Sequence, residues 1–270
     1  MALPLAAQNA PQFKVPRPSP KSVLTQTVGF TDMTITYSRP SARGRQIFGG
    51  LVPYGQVWRT GANEATTISF SDDVTINGQA LPKGTYSLHT IPGKDQWTII
   101  FNKVANQWGS FNYEQAQDAL RVTAKPHGDE YNEVMTFSIP KVTADEATVE
   151  IKWTNVAVPF TVAASTTQKV LADARAAVAA AKPDDWQTPM RAASFAVDNG
   201  IDLQEASRWI DQSIKINENL NNLFVKARAQ AAMGDKAAAI ATAQKAIAKA
   251  TKENAGEVPE LEHLIASWKS

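Results

Sequence analysis

The apolar residues of this chain keep one period up to about residue 162 and a different one beyond it. That switch limits the possible folds more than any other feature of the sequence. Between 22 and 162, short runs alternate apolar with polar side chains, as at Met33, Ile35 and Tyr37 against Thr34, Thr36 and Ser38. A two-residue period sets one face of a strand on a core and the other toward solvent. Strands are expected over 23–30, 33–38, 67–71, 85–91, 97–103, 119–124, 134–139, 147–153 and 156–162, with a hairpin over 74–81. Asn77-Gly78 marks the turn of that hairpin, because a type I′ turn needs positive φ at both central positions. Short strands at this spacing, with turn residues between them, predict an antiparallel β-sandwich or jelly roll over 19–163.

From residue 164 alanine dominates and β-branched residues thin out, so the second domain, 164–270, is expected to be helical. Helices are expected over 167–182, 189–199, 202–216, 219–233, 236–252 and 259–268. Asp202 and Glu205 have capping-box spacing at the start of the third. Gly200 and Gly234 lie 34 positions apart (234 − 200), each closing a helix ahead of one that carries Ala206 or Ala239. Helix, glycine turn and helix at that period make a tetratricopeptide-like pattern. Two degenerate repeats are expected, 186–219 and 220–253, bracing the sandwich or offering a surface for a protein partner or for self-association. Trp186, Trp209 and Trp268 are spaced as core anchors.

Charge excludes some function classes. The 27 basic and 26 acidic residues nearly cancel, so nothing drives the chain toward nucleic acid or an anionic membrane. No apolar run approaches the ~18 residues of a membrane-spanning helix. Cysteine is absent, which excludes disulfides, thiolate metal sites and a cysteine nucleophile, and suits an oxidising compartment. The first residues, MALPLAAQ, look like the end of a secretory signal. Residues 1–18 are therefore expected to be a signal remnant with an extended lead-in, and the protein to be periplasmic or secreted.

Between two clear strands lies a long excursion, 37–67, that carries Arg39, Arg43, Arg45 and Arg59 and the Asn63-Glu64 pair. Connections of this length without regular structure are often functional. With its flanks the excursion reads SPKSVLTQTVGFTDMTITYSRPSARGRQIFGGLVPYGQVWRTGANEATTISFS, followed later by LPKGTYSLHTIPGKDQWTIIFNK and QWGSFNY. These segments resemble the bacterial family catalogued as domain of unknown function 2911, over roughly 19–162. The helical tail, including EASRWIDQSIKINEN and AQAAMGDKAAAIATAQKAI, is similar to the extension that many members carry. The resemblance implies an exported or envelope protein with a β domain and no agreed activity, and it supplies no catalytic residues.

The chemistry rests on the residues themselves. Arginine offers a rigid fork of donors that grips carboxylate, phosphate or carbonyl oxygen. Arg39, Arg45 and Arg59, with Asn63 and Glu64, either hold an anionic or carbonyl-bearing ligand or pin the loop's own backbone. Tyr54, Trp58 and Trp108, with Phe48, Phe111 and Tyr113 beside them, either wall a pocket for a glycan, peptide or other small polar molecule or close the end of the sandwich. Binding without chemistry is the leading expectation.

Hydrolysis of an ester, lactone or glycoside is the alternative. Its base is His89, flanked on its face by Ser87 and Thr85 and oriented by Glu64 or Asp95. A purely structural module is the third reading. No G-x-S-x-G elbow and no nucleotide-binding glycine loop occurs. His127, Asp129 and Glu130 in KPHGDE could offer oxygen ligands to calcium but lack the spacing of a known calcium loop. No cofactor and no metal centre is expected.

Overall fold

The computed structural model describes residues 15–252 and 255–270. The secretory-signal reading of MALPLAAQ falls outside the described residues, as does all but the last part of the expected 1–18 lead-in. The chain divides into two compact units, the first ending at Thr166 and the second beginning at Thr167.

Among the described residues the first unit has ten strands: β1 (Lys21–Val28), β2 (Thr31–Ser38), β3 (Thr66–Phe70), β4 (Val74–Ile76), β5 (Gln79–Leu81), β6 (Gly84–Ile91), β7 (Trp97–Asn102), β8 (Asp118–Ala124), β9 (His127–Val142) and β10 (Glu146–Ala164). They form two antiparallel sheets, ordered β1-β2-β3-β6-β7-β8 and β5-β4-β10-β9. The faces turned inward carry the alternating apolar residues: Ile35, Ile68 and Phe101 from the first sheet meet Phe137, Trp153 and Phe160 from the second in one core. The β4–β5 turn holds Asn77 at φ 47° and Gly78 at φ 80°, as a type I′ turn requires.

Two differences from the sequence pattern have physical causes. The segments 147–153 and 156–162 are one continuous strand, β10, whose register shifts on either side of Thr154. Thr154 sits at φ 52°, a bulge conformation that inserts the polar Thr154-Asn155 pair without ending the strand. Its partner β9 begins at His127, so KPHGDE leads directly into a strand and not through a loop.

β9 is an edge strand, and the excursion that follows β2 covers its outer edge. Met135 N–H donates to Pro40 O at 2.9 Å and Ala42 N–H to Glu133 O at 2.7 Å. Phe137 N–H donates to the Tyr37 hydroxyl at 3.1 Å, and the two rings meet edge to face at 4.7 Å. An open edge that would invite pairing with another chain is thereby closed.

The second unit holds six helices: α1 (Thr166–Ala179), α2 (Gln187–Asp198), α3 (Leu203–Ile216), α4 (Leu220–Ala232), α5 (Lys236–Ala248) and α6 (Val258–Lys269). Many of its buried residues are alanines, among them Ala193, Ala196, Ala206, Ala227 and Ala243, which let helix axes approach closely. Gly200 and Gly234 occupy left-handed turns after α2 and α4. Trp209 is buried, whereas Trp186 and Trp268 are half-buried. The expected capping box at Asp202 does not form: Asp202 and Glu205 instead bind Arg175, at 2.6 and 2.9 Å. A reciprocal box forms one helix later, between Asn219 and Asn222. No helix among the described residues is long and apolar enough to cross a membrane.

Tyr37→Phe tests the edge closure. Removing the hydroxyl leaves the Phe137 N–H without its acceptor and is expected to lower stability by about 1–2 kcal/mol, read as a lower urea midpoint at unchanged slope.

Candidate functional site

The excursion leaves a great many backbone groups in need of partners, and it meets that need in three places. Its first part lies on β9. Its middle is tied to the end of β6, where Trp58 and Thr90 exchange backbone hydrogen bonds of 2.8 Å in both directions. Its last part is zipped to residues 107–109: Ala65 N–H donates to Gln107 O at 3.0 Å and Gly109 N–H to Asn63 O at 3.1 Å. Thr60 sits at φ 53°, a costly backbone for a β-branched residue. It is held by its own hydroxyl on Thr90 Oγ1 at 3.1 Å and by the Thr66 hydroxyl on its carbonyl at 2.7 Å.

The arginines of this loop, alike in sequence, meet different surroundings. Arg39 donates to Met135 O at 3.1 Å and to Thr136 Oγ1 at 2.7 Å, fastening the loop to β9. Arg45 donates to Ala42 O at 2.9 Å and to Ser41 O at 2.7 Å, bracing its own turn. The Arg59 carbonyl accepts from Thr66 N–H at 3.2 Å, but its guanidinium makes no hydrogen bond or ion pair within the described residues, and its Nε is buried without a partner. Burial holds its pKa below the usual arginine value, leaving it charged but poorly solvated.

Arg59 lines a cleft of about 470 Å³ at the loop end of the sandwich. Trp58 and Trp153, stacked at 5.9 Å with their planes 18° apart, form its indole wall. Arg45, Ser110 and Phe111 complete the polar side and the rim, and none of the described residues lining it is acidic. Gly109 (φ 67°) lets the 107–111 turn close over the guanidinium: a Cβ there would stand 2.9 Å from Arg59 Nη1 and 2.8 Å from the Phe111 ring.

His89 lies directly behind the cleft and is fully buried. Its Nδ1 meets Ser110 Oγ at 3.0 Å and its Nε2 meets Ser87 Oγ at 3.1 Å. Desolvation pushes its pKa down from 6.5 to about 4, with Asp118 opposing weakly, so the ring is neutral at physiological pH. Asp118 is itself engaged by Tyr113, Arg121 and Asn102.

Of the residues singled out in the sequence, Arg45, Trp58, Arg59 and Phe111 line this cleft, and His89 stands one hydrogen bond behind it. The others lie elsewhere. Arg39 faces β9. Tyr54 borders a neighbouring cleft with Phe48, Lys94 and His127. Asn63 donates to Ser19 O at 3.2 Å. Glu64 forms a bidentate pair with Arg17, at 2.7 and 2.8 Å, which holds its carboxyl pKa low. Trp108 is exposed beneath the same Arg17, at 5.9 Å. Of the two carboxylates expected to orient His89, Glu64 is engaged by Arg17, and neither it nor Asp95 bonds the ring, whose partners are two serine hydroxyls. In KPHGDE, Asp129 binds Lys152 at 3.2 Å, and among the described residues no group of three or more His, Cys, Asp or Glu stands in metal-binding proximity.

A family model described as "Protein of unknown function (DUF2911)" matches residues 19–162, more than half of the chain. The chain belongs to this family. No curated protein matches it. The family region covers β1 to β9, most of β10 and every residue of the Arg59 cleft. Within it, Gly109, Ser110 and Trp153 were not singled out by sequence reasoning. QWGSFNY held the only local hint, a glycine and a serine between two aromatics.

Two outcomes are expected. Because folding depresses the His89 pKa, its protonation favours the unfolded chain; stability is full above pH 6.5 and falls as pH drops toward about 4. The loss reaches roughly 3 kcal/mol at most. Denaturation midpoints across that window should decline for the wild type, with a shallower decline for His89→Gln. Gly109→Ala should cost at least about 1 kcal/mol, because it adds backbone strain to a collision with Arg59, read as a lower melting temperature.

Proposed function

We propose that this protein binds a small polar ligand through an anionic or carbonyl oxygen in the Arg59 cleft. The observation that carries this reading is a half-buried guanidinium with no acceptor among the described residues, in a cleft whose described lining includes a second arginine and no acid. A partly buried charge without a partner is costly, and a ligand oxygen would supply one. Trp58, half-buried and stacked on the buried Trp153, offers part of the cleft wall to the body of such a ligand, a sugar ring or peptide unit included. The pinned loops support a largely pre-formed site.

Hydrolysis is the second reading, favoured by the 3.0 Å contact between His89 Nδ1 and Ser110 Oγ at the cleft wall. Export to a periplasmic or extracellular compartment is part of the proposal and is supported by the absence of cysteine. The helices are proposed to be two tetratricopeptide-like repeats serving a protein partner or self-association. This is supported by the equivalent glycine turns at 200 and 234 and the fully buried Ala206 and Ala239 that follow them.

Arg59→Met separates binding from structure. It keeps an apolar stem and removes a charge that nothing in the described protein satisfies, so stability should be unchanged or raised. Binding of small carboxylates or phosphates, followed by calorimetry, should fall at least about tenfold. A variant that unfolds would instead mark Arg59 as a structural pin.

A further inference from the structure

The hydrogen-bond chain behind the cleft has a direction that can be worked out from donor inventories. Gln107 Nε2 lies 2.9 Å from Val104 O, which only accepts, so this end of the amide is the NH₂ group. The same nitrogen donates to Ser87 Oγ at 3.2 Å. Ser87 is fully buried, and among the described residues its hydroxyl has one other hydrogen-bond partner, His89 Nε2. Having accepted from Gln107, Ser87 satisfies its own proton by donating to that nitrogen. Neutral His89 then carries its proton on Nδ1 and donates it to Ser110 Oγ. Ser110 Oγ meets no other side chain or backbone acceptor among the described residues, so its hydroxyl proton is left to point into the cleft it lines.

We infer that the Arg59 cleft recognises a planar carboxylate, with Ser110 as a specificity-determining donor oriented by the chain Gln107–Ser87–His89. The inference rests on the binding role proposed above and names its ligand class. The two groups assigned to the bound oxygens are both donors: the guanidinium of Arg59 and the hydroxyl of Ser110. A carboxylate only accepts, whereas its isosteric amide would turn an NH₂ group toward one of these donors and leave both unpaired. Arg59 is the anchor for the two carboxylate oxygens, because Arg45 has committed its Nε and one Nη to Ala42 O and Ser41 O and only Arg59 keeps its whole fork. The same polarity removes Ser110 as an activated nucleophile, since the imidazole nitrogen facing it bears a proton and has no lone pair to accept one.

Two measurements on the full chain test this. In ¹⁵N-histidine-labelled protein at pH 7, a long-range proton–nitrogen spectrum should show His89 protonated on Nδ1. The Nε2–H tautomer would overturn the direction of the chain and make His89 a base toward Ser110. Calorimetric titration with benzoate and benzamide should give at least about tenfold tighter binding of benzoate. Ser110→Ala should weaken benzoate about five- to tenfold without changing the circular dichroism spectrum. Equal affinity for the two probes, an unchanged Ser110→Ala, or tighter binding of inorganic phosphate than of benzoate would each overturn the carboxylate assignment. Failure of every probe, together with an unfolded Arg59→Met, would instead mark the failure of the binding role itself.

Discussion

The excursion between β2 and β3 must find hydrogen-bond partners for its backbone, and much of the rest of the first unit is arranged by how it does so. Pro40 and Ala42 supply an added ladder to the edge of β9, Trp58 exchanges bonds with Thr90 at the end of β6, and Asn63 and Ala65 zip to the turn at 107–109. Each contact joins residues far apart in sequence, so the loop closes one edge of the sandwich and frames a cleft at its end. Arg59 lies between the second and third of these attachments. With neighbouring carbonyls committed elsewhere, its guanidinium is left in the cleft without an acceptor among the described residues. The unpaired cation is a consequence of the same accounting that orders the loop.

Much of the fold was legible because its signals are local. Alternation along β2, the Asn77-Gly78 turn and the change of period near residue 163 depend on neighbours only a few positions away. Where the reading failed, a distant partner decided. Thr154 and Asn155 look like a strand break, yet pairing along β9 carries β10 through them as a bulge. Asp202 has the spacing of a cap, yet Arg175 of α1 takes its carboxylate. Local propensity is a weak prior against such tertiary competition.

The site was legible in location and only partly in membership. Nothing near Arg39, Arg45 or Arg59 in the sequence distinguishes three arginines with three fates. The acceptors of Arg39 stand 96 and 97 positions away, and what matters for Arg59 is an acceptor that is missing. Glu64 reads as a partner for His89 until Arg17, 47 positions earlier, takes it. Ser110 carries no signal of its own. Only the closure of its turn over Arg59, which Gly109 permits, brings it within reach of His89.

The most direct test of the central claim is the Arg59 Nε–H resonance in the proton–nitrogen spectrum of the full chain, followed as sodium benzoate is added. A guanidinium held in the cleft without a protein acceptor should give a resonance displaced in a saturable way as its Nη groups engage the carboxylate, with slowed rotation about the Nε–Cζ bond. A resonance that is already at its hydrogen-bonded position in the free protein, or that ignores the anion up to saturating concentrations, would contradict the account.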